Sequence, residues 1–600
     1  LLTWSDTPVG GWYDKDDQLV PESEIFDRYR DEVVARSGVR FFHDDGPLHD
    51  GYTPESAMVF LDRDITFTVE DEAEARSYAE ADPQFTVVEQ TAFGEWQVTR
   101  KSGAQVRVPR RATLNRRIGG LFPTDFDPAR WGIPASMLDS IDPIAVWNLV
   151  SAVDAFVSAG FSPAELLRVV HPATVASTQG TGFGGMRSMH KLFVDRFLGE
   201  DYPQDILQET LPNVVAAHTM QSYVGGYGSM INPVGACATA AVSIEEGLDK
   251  IKAGKADFVV AGAIDDIQVE SIVGFGAMNA TANSNELLAR GISSRFVSRA
   301  NDRRRGGFVE AQGGGTVLLT RGSVALEMGL PVLAVVAHAQ TFSDGAHTSI
   351  PAPGLGALAV ARGGRDSVIA RNLAELGVGI DDVAFVSKHD TSTNANDPNE
   401  SDLHTRVGMA LGRTPGNPLL VISQKTLTGH AKGGACVFQV GGIIDVFRTG
   451  LIPANVALDC VDDAMEKYSP LVWLRSPLNL SSRGPVRAAF ATSLGFGHVS
   501  GFLALVNPTA FEAIVEREVG REALDAWRAA SDRRLRNGQR HIEMGMLGHA
   551  PLFTSVEGRR LPDDPAAGVA GDAHEVEAAI LLDPNARLGE DGFYHLPEGK

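Results

Sequence analysis

The sequence predicts an α/β protein with helices packed on sheets, and three observations carry that expectation. From Asp142 onward, short apolar runs that read as buried strands alternate with stretches of helical spacing. The alternation occurs twice with a shared order of elements, which predicts a duplicated layout. The 63 glycines among 600 residues supply tight turns and close backbone approaches.

In chain order, residues 1–120 are rich in charge and aromatics and read as an accessory region of α+β character. MVFLDRDITFTV (58–69) alternates like a strand pair, and FTVVEQ with EWQVTRKSGAQVRV (85–108) resembles a hairpin around Ser102-Gly103. Residues 121–330 form the first half. PIAVWNLVSAVDAFVSAG is helical and stops at Gly160; TVASTQ is a strand; helices are expected near 186–198, over 205–224 and after Cys237; FVVAGAI is a buried strand. Residues 331–508 form the second half. PVLAVVAHA is a strand, 362–376 helical, DVAFVSKH a strand, 398–411 helical, LLVIS a strand and 430–449 helical, with RAAFATSLG and GFLALVN as closing strands. Residues 509–600 form a helical extension and a Pro-, Gly- and Asp-rich tail, expected to be partly disordered or packed on a neighbouring subunit.

Composition narrows the function. With 44% hydrophobic and 22% charged residues the chain can bury a sizeable core. A net charge of −23 argues against nucleic-acid binding, which needs clustered Lys and Arg. Three cysteines make no disulfide framework, so a reducing compartment is the default. No CxxC pair exists, no His/Cys cluster has metal-ligand spacing, and no metal is expected. The opening LLTWSDTPVGG lacks both Met and a signal-peptide pattern, as a fragment of a longer chain or a trimmed N-terminus would. No apolar run has membrane-spanning length, so a cytoplasmic protein without membrane contact is expected.

NPVGACATAAVSIEEGL (232–248) places Cys237 before a helix whose apolar face is Ala241, Val242, Ile244, Leu248 and Ile251. Such a position offers unpaired N–H groups and the positive end of the helix dipole, which lower a thiol pKa toward neutrality. The bland reading is a buried cysteine in a tight turn, and for an isolated cysteine that reading leads. Other segments change the balance. SKHDTSTNANDPNE puts His389 at the end of an apolar strand, and SQKTLTGHAKGGACVFQV puts Lys425 after another strand and His430 at a helix start. Two such histidines in the half lacking the cysteine read as a converging site. Cys with His is also the protease arrangement, but two histidines and a lysine exceed what proteolysis needs.

NPVGACATA, SKHDTST with Asp397 and Glu400, QKTLTGHAKGG and TSLGFGH resemble, in order, the signature blocks of the β-ketoacyl synthases. NPVGACATA, FVEAQGGG, TSIPAPGLG and LTGHAKG look closer to the ketosynthase region of fungal- and actinobacterial-type multifunctional (type I) fatty acid synthases than to stand-alone bacterial ketosynthases. The resemblance covers about 120–508 and implies the thiolase fold, with α-β-α-β-α layered halves. It also implies an acyltransferase that condenses an acyl thioester with malonyl-acyl-carrier-protein. Cys237 would carry the acyl chain, and His389 and His430 would hydrogen-bond the malonyl thioester oxygen as carbon dioxide leaves. Lys425 would favour neutral imidazoles and attract the malonyl carboxylate. Backbone N–H groups of Cys237 and the gating Phe496 would hold the oxyanion, and Thr391 and Thr393 would contact the phosphopantetheine arm. No cofactor would be bound by this region itself; 4′-phosphopantetheine arrives on an acyl carrier protein domain. Other synthase domains are further partners, with a homodimer inside a larger, hexameric assembly.

The chain departs from the family pattern in places. Gln439 stands where an acidic residue is usual, His498 follows the gate where glycine is common, and Gln312 replaces a common Glu. Asp302 and Arg305 fit the pattern, in a block read as structural. The triplet Arg303-Arg304-Arg305 reads as a solvated face, or a surface on which an acidic carrier protein docks. GTGFGG (Gly180 to Gly185) satisfies the dinucleotide fingerprint, but the required acidic residue after a second strand is not evident and no Walker A motif exists. A biosynthetic thiolase would need a second catalytic cysteine, and Cys436 and Cys460 read as structural. A polyketide-type ketosynthase is the alternative enzyme. A chain-length partner or purely architectural thiolase-fold subunit is opposed by the retained Cys237, His389 and His430.

Overall fold

The computed structural model describes residues 2–42, 52–123, 126–198, 201–345, 355–554, 578 and 580–595. Most of the TSIPAPGLG block and most of the tail beyond 560 lie outside these residues. The chain divides into two compact units, Phe42–Arg117 and the remainder. Residues 1–41, grouped by sequence with the accessory region, therefore belong to the main unit. There, Val39–Phe41 pairs antiparallel with Ile118–Gly120.

In the small unit, Ile65–Val69, Trp96–Arg100 and Thr86–Gln90 make an antiparallel sheet in that spatial order, and Tyr52–Phe60 pairs with Gln105–Thr113. Helix Glu72–Ala81, capped by the Asp71 carboxylate, seals the sheet by packing Ala75 on Val69 and Val98. Both strands expected within 58–69 exist, but neither pairs with the other. The hairpin of 85–108 turns at Thr91–Gly94, whereas Ser102-Gly103 leads from the sheet into the two-stranded ribbon. Alternation reports which face of a strand is buried; it does not report which strand lies alongside.

The main unit is layered. Its first half contributes α1 (Pro143–Ser158), β1 (Val175–Ser177), α2 (Met186–Phe193), α3 (Pro212–Thr219), α4 (Thr239–Lys252), β2 (Phe258–Asp265), α5 (Val269–Ala277) and β3 (Gly313–Thr320). The second contributes β4 (Val335–Ser343), α6 (Val368–Glu375), β5 (Val383–Ser387), α7 (Asn396–Ala410), β6 (Leu419–Ile422), α8 (Ala435–Thr449), β7 (Leu471–Trp473), β8 (Ala488–Gly495) and β9 (Val499–Val506). Strands β1-β2-β3 form one sheet, and β4-β9-β8-β5-β6-β7 form a six-stranded mixed sheet. Helices α4 and α8 touch each other and both sheets, so they form the central layer. That position explains why β2 and β8 are buried along their whole length and read as unbroken apolar runs. Helix α1 covers the outer face of the first sheet, and α6 and α7 cover that of the second. The order is α-β-α-β-α, as the resemblance implies.

One expectation needs correction. The stretch 205–224 is not one helix: Pro212 has no N–H and starts a new helix after a short turn at Ile206–Glu209, and Met220–Val224 closes as a wider π turn. The C-terminal extension, α9 (Thr509–Glu518) and α10 (Arg521–Met546), packs on its own chain. Trp527 Nε1 donates to Leu330 O at 3.0 Å, and α10 crosses α1 so closely that a Cβ on Gly538 would lie 2.3 Å from Val157 O. The described end of the tail also packs inward: Leu588 and Tyr594 join the core that α1 lines, and Arg587–Leu588 lies against the helix Pro163–Val169.

Candidate active site

Both halves of the main unit deliver chemistry to one point through the ends of their central helices. Cys237 lies in a tight turn, Ala236–Ala238, immediately before α4. Ala236 holds φ at +47°, a left-handed conformation that costs a non-glycine residue energy and throws the next side chain away from the helix axis. His430 sits on the loop before α8, with Nε2 3.0 Å from Cys237 Sγ. His389 follows β5, and its ring crosses that of His430 at 88° with centroids 5.2 Å apart. All three are buried. The site thus assembles from three chain segments, none adjacent in sequence.

Lys425 Nζ donates to His389 O at 2.5 Å and lies 3.4 Å from His389 Nδ1. With Nδ1 facing an ammonium, the neutral ring carries its proton on Nε2. Burial, reinforced by the Lys425 charge, holds both histidines well below the usual range, so both are neutral at physiological pH. Burial also lowers the Lys425 pKa.

Cys237 departs from expectation. Its thiol is pushed up to about 11 rather than down toward neutrality. Burial is the main cause; the charges of Lys425 and Lys432 and the Phe496 N–H at the sulfur work against it without prevailing. The helix-start argument fails because it compares helix positions at equal solvation, and this sulfur is almost fully removed from water. The resting state is a thiol beside a neutral imidazole.

Glu400, on α7, organises the His389 end. It accepts the N–H groups of His389 and Asp390 and the hydroxyl of Thr492. Burial opposes its charge, but His404 and Lys388 outweigh that and hold it below the ordinary carboxylate range. Lys388 Nζ in turn reaches Asp390 Oδ1 at 2.7 Å and Asn301 Oδ1 at 3.0 Å. Thr391 is buried with its hydroxyl 3.2 Å from that of Thr393, which also accepts Asn396 N–H at the start of α7. Phe496 opens the turn between β8 and β9 and packs on Phe275. Phe275 meets Phe308, and Phe308 meets His430 edge-on at 5.2 Å, an aromatic wall from Phe496 to the imidazole.

GTGFGG is an anion cradle already filled from within. Asp265 accepts Thr181 Oγ1 and the N–H groups of Gly182, Phe183 and Gly433, so the loop's donors face this carboxylate. Asp302 is likewise consumed by Arg299 and by the N–H groups of Arg304, Asp459 and Cys460. The arginine triplet is not a free basic face. Arg305 is buried against Asp462 and the Thr393 carbonyl, Arg304 pairs with Asp459, and Arg303 lies 3.6 Å from Asp463. Gln312 joins Phe122 N–H to Asp266. His498, two residues after Phe496, adopts φ +70°. Cys436 is buried in α8 and Cys460 is exposed, and neither joins the cysteine–histidine cluster. The fold creates a grouping that linear spacing does not show: one ligand atom each from Cys237, His389 and His430 lies within 4.8 Å of the others.

Sequence reasoning missed Ser493, Lys388, Asp265 and Lys432. Asp265 and its neighbour Asp266 are a pair of carboxylates ending an apolar strand, a signal that buried partners await them. Lys432, within HAKGG, reaches Glu310 at 3.1 Å; it is a buried cation in a glycine-rich turn. Nothing in the sequence marks Ser493 inside RAAFATSLG.

Architecture of this kind defines the thiolase-like ketosynthases. One likeness among solved structures is to the noncanonical ketosynthase FabY from P. aeruginosa, with a TM-score of 0.80 over 92% of this chain and 85% of that one. At 22% identity the likeness shows the fold. The chain belongs to the β-ketoacyl synthase family: the N-terminal domain of that family matches residues 87–325 and the C-terminal domain residues 333–459. Its relatives include the fatty acid synthase alpha subunit stcJ of Emericella nidulans, 34% identical over 96% of this chain and 36% of that protein. The fatty acid synthase subunit alpha of Saccharomyces cerevisiae is 29% identical over 97% of this chain and 35% of that protein. The chain thus spans about a third of these relatives' length.

Proposed function

We propose that this chain is the 3-oxoacyl-[acyl-carrier-protein] synthase region of a type I fatty acid synthase, and that it performs a decarboxylative Claisen condensation. The observation that carries the reading is the 3.0 Å approach of His430 Nε2 to Cys237 Sγ, with His389 on the other side of the same space.

In the first half-reaction the thiol attacks an acyl thioester. Its proton moves toward His430 as the S–C bond forms and leaves with the departing carrier thiol. This route removes the need for a preformed thiolate. In the second, a malonyl thioester places its carbonyl oxygen against His389 and His430. Carbon dioxide leaves, and the electron pair of the broken C–C bond becomes an enolate held by the two neutral imidazoles. Hydrogen bonds to developing charge of this kind contribute several kcal/mol. The enolate carbon attacks acyl-Cys237; the oxyanion is held by the N–H groups of Cys237 and Phe496; and the cysteine sulfur leaves, taking up one proton. The products are the 3-oxoacyl thioester, carbon dioxide and free Cys237. Thr391 and Thr393 contact the phosphopantetheine arm, and Lys425 fixes the His389 tautomer whose Nε2–H donates.

The reading includes an acyl carrier protein domain and other fatty acid synthase domains as partners, and a cytoplasmic homodimer within a hexameric assembly. Relatives bearing the name fatty acid synthase support it. No single described helix is long and apolar enough to cross a membrane.

The test is intact-mass analysis after incubation with acyl donors of graded length. One acyl adduct on Cys237 is expected, lost in Cys237→Ala; an adduct that persists on another residue overturns the assignment.

A further inference from the structure

Gln439 lies in the second turn of α8, fully buried, at the position where the sequence breaks its family's pattern. Its Nε2 faces three backbone carbonyls, which share its two hydrogens: Ser387 O at 2.7 Å, Thr492 O at 3.0 Å and Lys388 O at 3.1 Å. The orientation is unambiguous, because an amide oxygen would face three other oxygens. Its Oε1 is left buried without a hydrogen-bond partner, so the arrangement is kept at a cost.

The three carbonyls are not scattered. Lys388 C=O and His389 N–H belong to one peptide group, and each end has its own clamp: Gln439 from α8 on the carbonyl, Glu400 from α7 on the N–H. Thr492 is shared in the same way, its carbonyl bound by Gln439 and its hydroxyl by Glu400. The next residue, Ser493, donates to the carbonyl of Cys237 at 2.7 Å. Helix α8 itself begins a few residues after His430. A single amide nitrogen therefore ties together the three segments that carry His389, His430 and the Cys237 support.

We propose that Gln439 is a positioning residue that, with Glu400, fixes the Lys388–His389 peptide and so the reach of the His389 imidazole. The inference rests on the condensation reading above. Acyl loading uses Cys237 and His430; decarboxylation and condensation need both imidazoles on one oxygen. Loss of the clamp should therefore act on the second half-reaction and spare the first. A glutamate at this position would present a carboxylate to three carbonyl oxygens. Thr492, which bridges it to Glu400, brings a second negative group; Lys388 is turned to Asp390; Cys436 lies one turn earlier on α8, and Lys425 is held on the His389 carbonyl. Only a protonated glutamate could donate there.

The experiment measures two rates on the same protein: acyl loading of Cys237 by mass, and release of carbon dioxide from a malonyl thioester. Gln439→Met is expected to slow the second about 100-fold while loading stays within about threefold, in keeping with the effect of misplacing one transition-state donor. Gln439→Glu should approach the parent rate at pH 6 and the Met variant's at pH 8.5, giving a descending limb that the parent lacks. Equal loss of both steps in the Met variant, or a Glu variant that tracks the parent at every pH, overturns the proposal. Comparing one folded Glu variant at two pH values keeps the test decisive if the Met variant fails to fold. Absence of loading in the parent chain would instead sink the condensation reading, which is a separate result.

Discussion

The hydroxyl of Ser493, on β8 of the second half, donates a 2.7 Å hydrogen bond to the carbonyl oxygen of Cys237, in the turn before α4 of the first. This bond joins the two halves at Cys237 and holds a turn whose Ala236 is strained. Ser493→Ala leaves a buried carbonyl without its donor, a loss of about 1–3 kcal/mol. The expected outcome is a lower melting temperature and slower acyl loading, by about tenfold, with the Cys237 adduct still forming. Calorimetry and timed mass spectra check both; an unchanged loading rate would falsify the role.

The raised thiol of Cys237 makes a pH prediction. With a value of about 11, thiolate is scarce at pH 7 and grows about tenfold per pH unit up to that value. Alkylation of Cys237 by iodoacetamide should climb steadily from pH 7 to 10, followed peptide by peptide so that exposed Cys460 does not obscure it. A plateau beginning near neutrality would mean a lowered thiol and would restore the helix-start argument.

Asp265 holds the glycine loop to the His430 loop through Gly182 and Gly433. A Cβ on Gly433 would lie 2.7 Å from Asp265 Oδ2, so the two segments meet as closely as backbone allows. Asp265→Ala orphans several buried N–H groups and is expected to destabilise the chain by roughly 3–5 kcal/mol. Asp265→Asn, keeping one acceptor, should cost less. Urea midpoints rank the two, and equal midpoints for both variants and the parent would rule the cradle out as a structural tie.

Asp302 links acid stability to the Arg299–Arg305 block. Burial would raise its pKa, but the hydrogen bond from Arg299 and the N–H groups of Cys460 and Arg304 lower it below the ordinary value. A carboxylate depressed in the folded state contributes stability above its unfolded pKa of about 3.9 and loses it as pH falls through the folded value. The parent should therefore lose stability below about pH 4, and Asp302→Asn should be less stable at pH 7 and less sensitive to acid. Denaturant titrations from pH 3 to 7 read this directly; parallel curves for the two proteins would exclude Asp302 as the linked group.

The legible parts of this chain share a physical character. Strands β2, β5 and β8 were readable because burial on both faces demands continuous apolar residues. Strand β3 was not, since its GGG start reads as a turn; those glycines let it lie against β2 and α8. Cys237, His389, Lys425 and His430 were legible from local context because thiol, imidazole and ammonium each lie at an element's end. Their supports were not. Ser493 and Gln439 sit within regular elements and differ from packing residues only in what they face.

The chain's local order determined by itself the α/β class, the doubled succession of elements and the identity of the four polar groups that meet. Burial pattern and residue chemistry are local properties, and the linear text records them. Tertiary structure decided the rest: which strands neighbour one another, the retention of the proton on Cys237, and the carboxylate that fills the glycine loop. It also gave Gln439 its three carbonyls. Each depends on desolvation or on partners more than 50 residues distant, such as Thr492 for Gln439 and Ser493 for Cys237, and those enter the energy only once the halves have closed on each other.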